Sequence, residues 1–167
     1  MFHVIIADLE EQLALPLPHP DITPLLFDLL SLMSLNPKCR VFIRKTVNVK
    51  RAMPAPSPRK PKCLQAIDAM WLDVLANLSF FEDGQIVILA KEDICAILFD
   101  YLEVEGLFKE IYISSMLILR NLAFSRKGMA RLTGARGVLA KLIRLCSTHP
   151  QPKVRLYALS CLVRPSE

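Results

Sequence analysis

A chain of 167 residues with 53 % hydrophobic and 22 % charged side chains can bury a sizeable core, which excludes global disorder. Its formal net charge of +5 hides four blocks: five acids and two bases in 1–43, seven bases alone in 44–62, ten acids and two bases in 63–110, ten bases and one acid in 111–167. Five scattered cysteines (Cys39, Cys63, Cys95, Cys146 and Cys161) form no CxxC, and His3, His19 and His149 lie far from them, which argues against a zinc site.

The N-terminal run MFHVIIADLEEQ is too short and too soon acidic for a signal peptide. No stretch of about 18 apolar residues is free of charge, so no membrane span is expected. Apolar spacing and turn residues predict helices near 6–14, 22–34, 37–45, 63–80, 85–91, 93–104, 109–124, 127–133, 136–147 and 152–163, with no strand. Ile111, Met116, Leu119 and Leu122 form one expected stripe; Leu139, Leu142, Ile143 and Cys146 form another. Asp83-Gly84 and Lys127-Gly128 read as short breaks between helices, and Gly134 and Gly137 bracket a further turn. His149-Pro150-Gln151-Pro152 ends a helix, because proline lacks an N–H and disfavours helix before it.

The chain repeats itself. LANLSFFEDGQIVIL (75–89) aligns with LRNLAFSRKGMARLT (119–133) at an offset of 44 residues, matching Leu75 to Leu119, Asn77 to Asn121, Phe80 to Phe124 and Gly84 to Gly128. LSLMSLNPKCRVFI (30–43) is a weaker upstream copy at an offset of 45, and YALSCLVR (157–164) a partial last copy at 40. A period of about 40–47 residues is that of stacked helical units whose apolar faces are buried only against one another. Leu75, Leu78, Leu119 and Leu122 are then packing residues. Phe80 and Phe124 are expected to plug the corner between successive helices, where truncation to Ala would cost about 3–5 kcal/mol.

LILRNLAFSRKGMARLTGARGVLAKLIRLC resembles an armadillo repeat: a long helix ending in Asn-Leu, a short helix, a glycine turn and a third helix. The resemblance covers about 22–45 and 63–163. It implies an all-α, armadillo/HEAT-like right-handed helical repeat stack of about three to four repeats. The expected divisions are N-terminal helices and a partial repeat in 1–45, a basic Pro-rich loop in 46–62, and repeats with a truncated or capping last copy in 63–167. Within the superfamily, WLDVLANLSFFEDGQIVILAK looks most like the C-terminal armadillo-like part of a large centriolar and ciliary protein. That similarity implies a scaffold in centriole, basal-body and cilium assembly, cytoplasmic and cytoskeletal. A similar asparagine-leucine-serine-phenylalanine helix end occurs in an armadillo region of chromatin remodellers, which implies the nuclear alternative. In peptide-binding armadillo families the asparagine clamps an extended peptide and a tryptophan four residues earlier lines a pocket. Asn77 and Asn121 match the first position, whereas Asp73 and Leu117 occupy the second, so the ladder is incomplete and a role in bonding neighbouring backbone stays open.

Arg44–Lys62 has four prolines and no acid, and reads as an exposed, solvated loop. Lys50, Arg51, Arg59, Lys60 and Lys62, with Arg126, Lys127 and Arg136, are candidate electrostatic contacts for an acidic protein, with nucleic acid ranked lower for want of interleaved aromatics. Ser57-Pro58-Arg59-Lys60 matches a proline-directed kinase pattern and makes Ser57 a candidate phosphosite. There is no nucleophile elbow, phosphate loop or HExxH. Glu82-Asp83 and Glu92-Asp93 are neighbours that point apart, better placed at helix starts than for acid–base work. Neither enzymatic activity, a small-molecule substrate nor a cofactor is expected. The last copy stops short, as in a fragment, an isoform or an imperfect cap.

Overall fold

Proline opens two of the helices and a serine hydroxyl caps a third. The computed structural model describes residues 4, 7, 8, 11, 12, 19–46, 56, 57 and 59–163. In chain order these hold α1 (Ile22–Leu35), α2 (Pro37–Thr46), α3 (Lys62–Ser79), α4 (Glu82–Leu89), α5 (Ile94–Glu103), α6 (Lys109–Ala123), α7 (Arg126–Gly134), α8 (Val138–Thr148) and α9 (Pro152–Leu162). Pro37 and Pro152 open their helices, where a missing N–H costs nothing. The Ser125 hydroxyl accepts from the Gly128 N–H and caps α7. The glutamate and aspartate at 82 and 83 fill the first turn of α4, at the positive end of its dipole. There is no strand among the described residues, and the expected helix over 6–14 lies mostly outside them.

The long helices make one continuous layer: α1 packs on α3, α3 on α6 and α6 on α9. The remaining helices lie behind it, with α2 against α1 and α4, α4 against α3, α5 and α7 against α6, and α8 against α9. Leu72, Leu75 and Leu78 of α3 and Met116, Leu119 and Leu122 of α6 are fully buried between successive long helices. Each contributes about 1.5–3 kcal/mol of burial. Phe27 meets Trp71 edge to face, ring centres 5.1 Å apart, and locks α1 onto α3.

Three sequence expectations change. Phe80 and Phe124 plug no corner: they are 56 % and 46 % exposed at the ends of α3 and α6. Gly84 and Gly128 are not breaks but lie inside the first turns of α4 and α7. A Cβ at either would strike the carbonyl of Leu78 or Leu122, so the corner is closed by backbone lying on backbone. That is the physical reason the glycine recurs at the 44-residue offset. On α8 the buried stripe is Leu142 and Leu145, while Leu139 and Ile143 stand in solvent. The turn before α8 is made by Gly137 alone in the left-handed region, with φ of 71°.

Candidate functional site

The layer of long helices leaves an open groove of about 820 Å³ across one side of α1, α3, α6 and α9. Its floor is apolar, from Phe27, Ala69, Met70 and Ile113; its walls carry Asp28, Asp73, Lys109, Glu110 and Lys153. Helical spacing explains the placement. Asp73 and Asn77 share a face of α3. Ser31, one 46-residue step before Asn77, faces them from α1.

Two hydrogen bonds define the polar centre. The Asn77 amide donates to Ser31 Oγ (2.7 Å), and Ser31 Oγ donates to Asp73 Oδ2 (3.0 Å). Asp73 is exposed and Asn77 half-buried, so both keep a solvent-facing side. Asn121, at the equivalent position, is buried. Its amide donates to Ser79 Oγ (2.8 Å) and its Oδ1 accepts from Arg120 (3.0 Å). The two asparagines matched in sequence therefore occupy different settings. One is half-buried and bonds Ser31, a residue of the groove; the other is buried and ties α6 to α3.

The basic candidates scatter. Arg126, Lys127 and Arg136 are exposed on or beside α7; the first two border a second cavity of about 470 Å³ with Glu82, Gln85 and Ile86 of α4. Arg59 and Lys62 are exposed, and Ser57 is half-buried, its Oγ accepting from the Arg59 N–H (3.3 Å). Lys50 and Arg51 lie outside the described residues. Lys60 departs from the expectation of a solvated contact: its ammonium donates to both oxygens of buried Asp68 (2.6 Å each). Burial raises the Asp68 pKa above its ordinary value, against the opposing pull of Lys60 and of the Tyr101 hydroxyl bonded to it. Burial and the adjoining carboxylate together push the Tyr101 hydroxyl well above its usual range.

Two ties were not foreseen. Arg40 donates to Asp83 (3.1 Å to both oxygens) and to the carbonyls of Ser34 (3.4 Å) and Leu35 (3.0 Å), and its guanidinium lies 3.6 Å from the centre of the Phe81 ring. Gln85, 45 residues on, donates to the carbonyl of Ser79, itself 45 residues after Ser34 (2.8 Å). Equivalent positions thus satisfy equivalent orphan carbonyls at the ends of α1 and α3. The signal was present as an Arg/Gln pairing in the alignment, but nothing in residue type marked it.

Burial pushes the thiol of Cys95 up to about 11 and that of Cys161 up to about 12, so neither is a ready thiolate. His149 is buried edge-on to Tyr112, its Nδ1 accepting from the Gln151 N–H (3.1 Å), and burial lowers its pKa. Among the described residues no group of three or more His, Cys, Asp or Glu is placed to hold a metal, and no helix is long and apolar enough to cross a membrane. No protein family, curated protein or solved structure matches the chain.

Proposed function

We propose that this chain is an armadillo-type repeat module that acts by binding protein rather than by catalysis. One observation carries the reading: the groove running over α1, α3, α6 and α9, apolar at its floor and charged at its walls. An extended segment of a partner protein fits that chemistry. Its apolar side chains meet Phe27, Met70 and Ile113. A basic side chain meets Asp28 and Asp73, an acidic one meets Lys109 or Lys153, and Asn77 with Ser31 supplies backbone contacts. Asn121 has no part in such a contact, because it is buried, with both ends of its side chain bonded.

The cellular setting rests on resemblance. WLDVLANLSFFEDGQIVILAK followed by ILRNLAF resembles the C-terminal armadillo-like part of rotatin, a large centriolar and ciliary protein, and supports a scaffold role in centriole, basal-body and cilium assembly. Proximity labelling with the tagged chain in ciliated cells tests this, run beside an Ile113→Glu, Asp73→Lys variant that alters the groove at half-buried and exposed positions. The expected result is a centriolar set of neighbours that the variant loses. A chromatin-only set would move the module to a nuclear complex, and neighbours unchanged by the variant would remove the groove from the account.

A further inference from the structure

The internal junctions pair the same two helix faces, though their polar contacts differ, and the two ends of the layer carry those two faces uncovered by any described helix. In α3 the asparagine at 77 faces α1, bonding Ser31; in α6 the asparagine at 121 faces α3, bonding Ser79. Positions three, seven and ten residues earlier share that helical face: Val74, Met70 and Ile67 in α3, Ile118, Ser114 and Ile111 in α6. The 45-residue offset carries this backward-looking face onto Leu32, Leu29, Leu25 and Ile22 of α1. No helix of the described chain covers them: Leu25 and Leu32 are each 67 % exposed, whereas Ile111 and Ile118 are completely buried.

The opposite face behaves in mirror fashion. Ser79, Leu75 and Leu72 of α3 look forward to α6 and are fully buried, as are their equivalents Ser34, Leu30 and Phe27 in α1. The equivalents, at offsets of 44 and then 40, are Leu159 and Leu156 in α9 and Val163 just after it. Val163 is 66 % and Leu156 61 % exposed. The open forward face of α9 and the open backward face of α1 are therefore the two sides of a junction that the chain already makes inside itself three times.

We infer that this chain self-associates head to tail, the forward face of α9 in one copy receiving the backward face of α1 in the next. Three observations select a second copy as the occupant. Where the internal junction pairs Asn121 with Ser79, the end faces pair Leu32 with Val163: polar meets polar inside, apolar meets apolar at the ends. Asp28 holds the position of Asp73 and Ser160 that of Ser31, so the two ends carry the residue types of the Ser31–Asp73 bond, which forms when the Ser160 hydroxyl turns from the Tyr157 carbonyl (2.8 Å) to Asp28 of the next copy. The charges at the two ends also complement each other, exposed Asp21 and Asp28 at α1 and exposed Lys153 with half-buried Arg155 on α9. Such a contact is heterologous. It does not use one patch twice, and unless the rotation closes into a ring it propagates into open chains.

Sedimentation velocity of the full chain over a concentration series up to roughly 100 µM, a range that reaches weak self-association, tests this. The wild type should grow beyond a dimer as concentration rises. A head-blocked variant (Leu25→Glu, Leu32→Glu) and a tail-blocked variant (Leu156→Glu, Val163→Glu) should each stay monomeric, yet mix to form a 1:1 dimer that grows no further. All four positions are exposed, so the helical signal should persist; the single substitutions L25E and L156E serve where a double variant loses it. A wild type that stays monomeric, blocked variants that still self-associate, or a mixture that gives no dimer would each overturn the inference.

Discussion

The junction of α1 with α3 and the junction of α3 with α6 place the same residue at the same position and give it different work. At the first, Asn77 is half-buried, and its partner Ser31 passes the bond to exposed Asp73 at the groove. At the second, Asn121 is buried, bonds buried Ser79, and is closed over by Arg120 and by Gln85, whose amide reaches the Asn121 carbonyl (3.4 Å). A repeated residue type reports a repeated backbone position, and only burial decides whether its polar group is left for a partner. The difference also orders the energies, because a polar group costs most when truncation leaves its mate dry and unpaired.

The strongest contrast between the two regions lies just beyond the groove, at the start of α3. Lys60→Met leaves Asp68 buried without its cation, and should lower unfolding free energy by about 3–5 kcal/mol in urea titrations. Asp68→Asn should cost less, and Asp68→Asn should recover part of the loss when added to Lys60→Met. Equal costs for the two single variants would show that the carboxylate is hydrated in solution.

Glycine comes next and should treat both regions alike. Gly84→Ala and Gly128→Ala each force a Cβ into a carbonyl of the preceding long helix, at a cost of about 3 kcal/mol by the same titration. By contrast, Phe80→Ala and Phe124→Ala should each cost no more than about 1.5 kcal/mol, since roughly half of each side chain stands in solvent. A large loss at either phenylalanine would restore the corner role that its position in the repeat suggested.

Acid should separate α3 from the end of the layer at α9. His149 has a lowered folded pKa, so below its ordinary value of 6.5 the unfolded chain takes up the proton first, and stability falls with pH through the window down to the folded value. Asp68 has the opposite sign. Its folded pKa is raised above 3.8, so its contribution to stability grows as pH falls through that raised value and levels off below 3.8. Thermal melts between about pH 7 and about pH 5 should therefore show a loss that His149→Gln flattens. A profile unchanged by that substitution would place His149 in contact with water.

Much of this order was readable from the chain, and the failures have physical causes. Leucine spacing placed most helices within a few residues of their observed ends, because burial of one face leaves a periodic trace. Apolar spacing starts α4 at 85 rather than 82 because glycine at 84 reads as a stop, and only the packing of backbone on the Leu78 carbonyl explains it. Aromatic residues at a helix end look like core on hydropathy alone, which misplaced Phe80 and Phe124. Lys60 lies in a run of bases and prolines whose composition says loop; Asp68, its partner eight residues on, carries no mark of burial beyond one helical turn of apolar neighbours. The adjoining acidic and basic blocks predict pairs across their boundary, and Glu103 accepts from Arg144 (2.6 Å) and pairs with Lys141 (3.3 Å); which residues meet follows only from the approach of α5 and α8. Arg126, Lys127 and Arg136 remain outward, as the basic block suggested.

One measurement addresses most directly the claim that the two asparagines do different work: a pair of double-mutant cycles on unfolding free energy, Asn121→Ala with Ser79→Ala and Asn77→Ala with Ser31→Ala. The buried pair should show a coupling of about 1 kcal/mol or more, and the groove pair should be additive within about 0.5 kcal/mol. Equal coupling at both junctions, or a larger value at Asn77, would contradict the account, because Asn77 would then be a structural tie with nothing left to offer a partner.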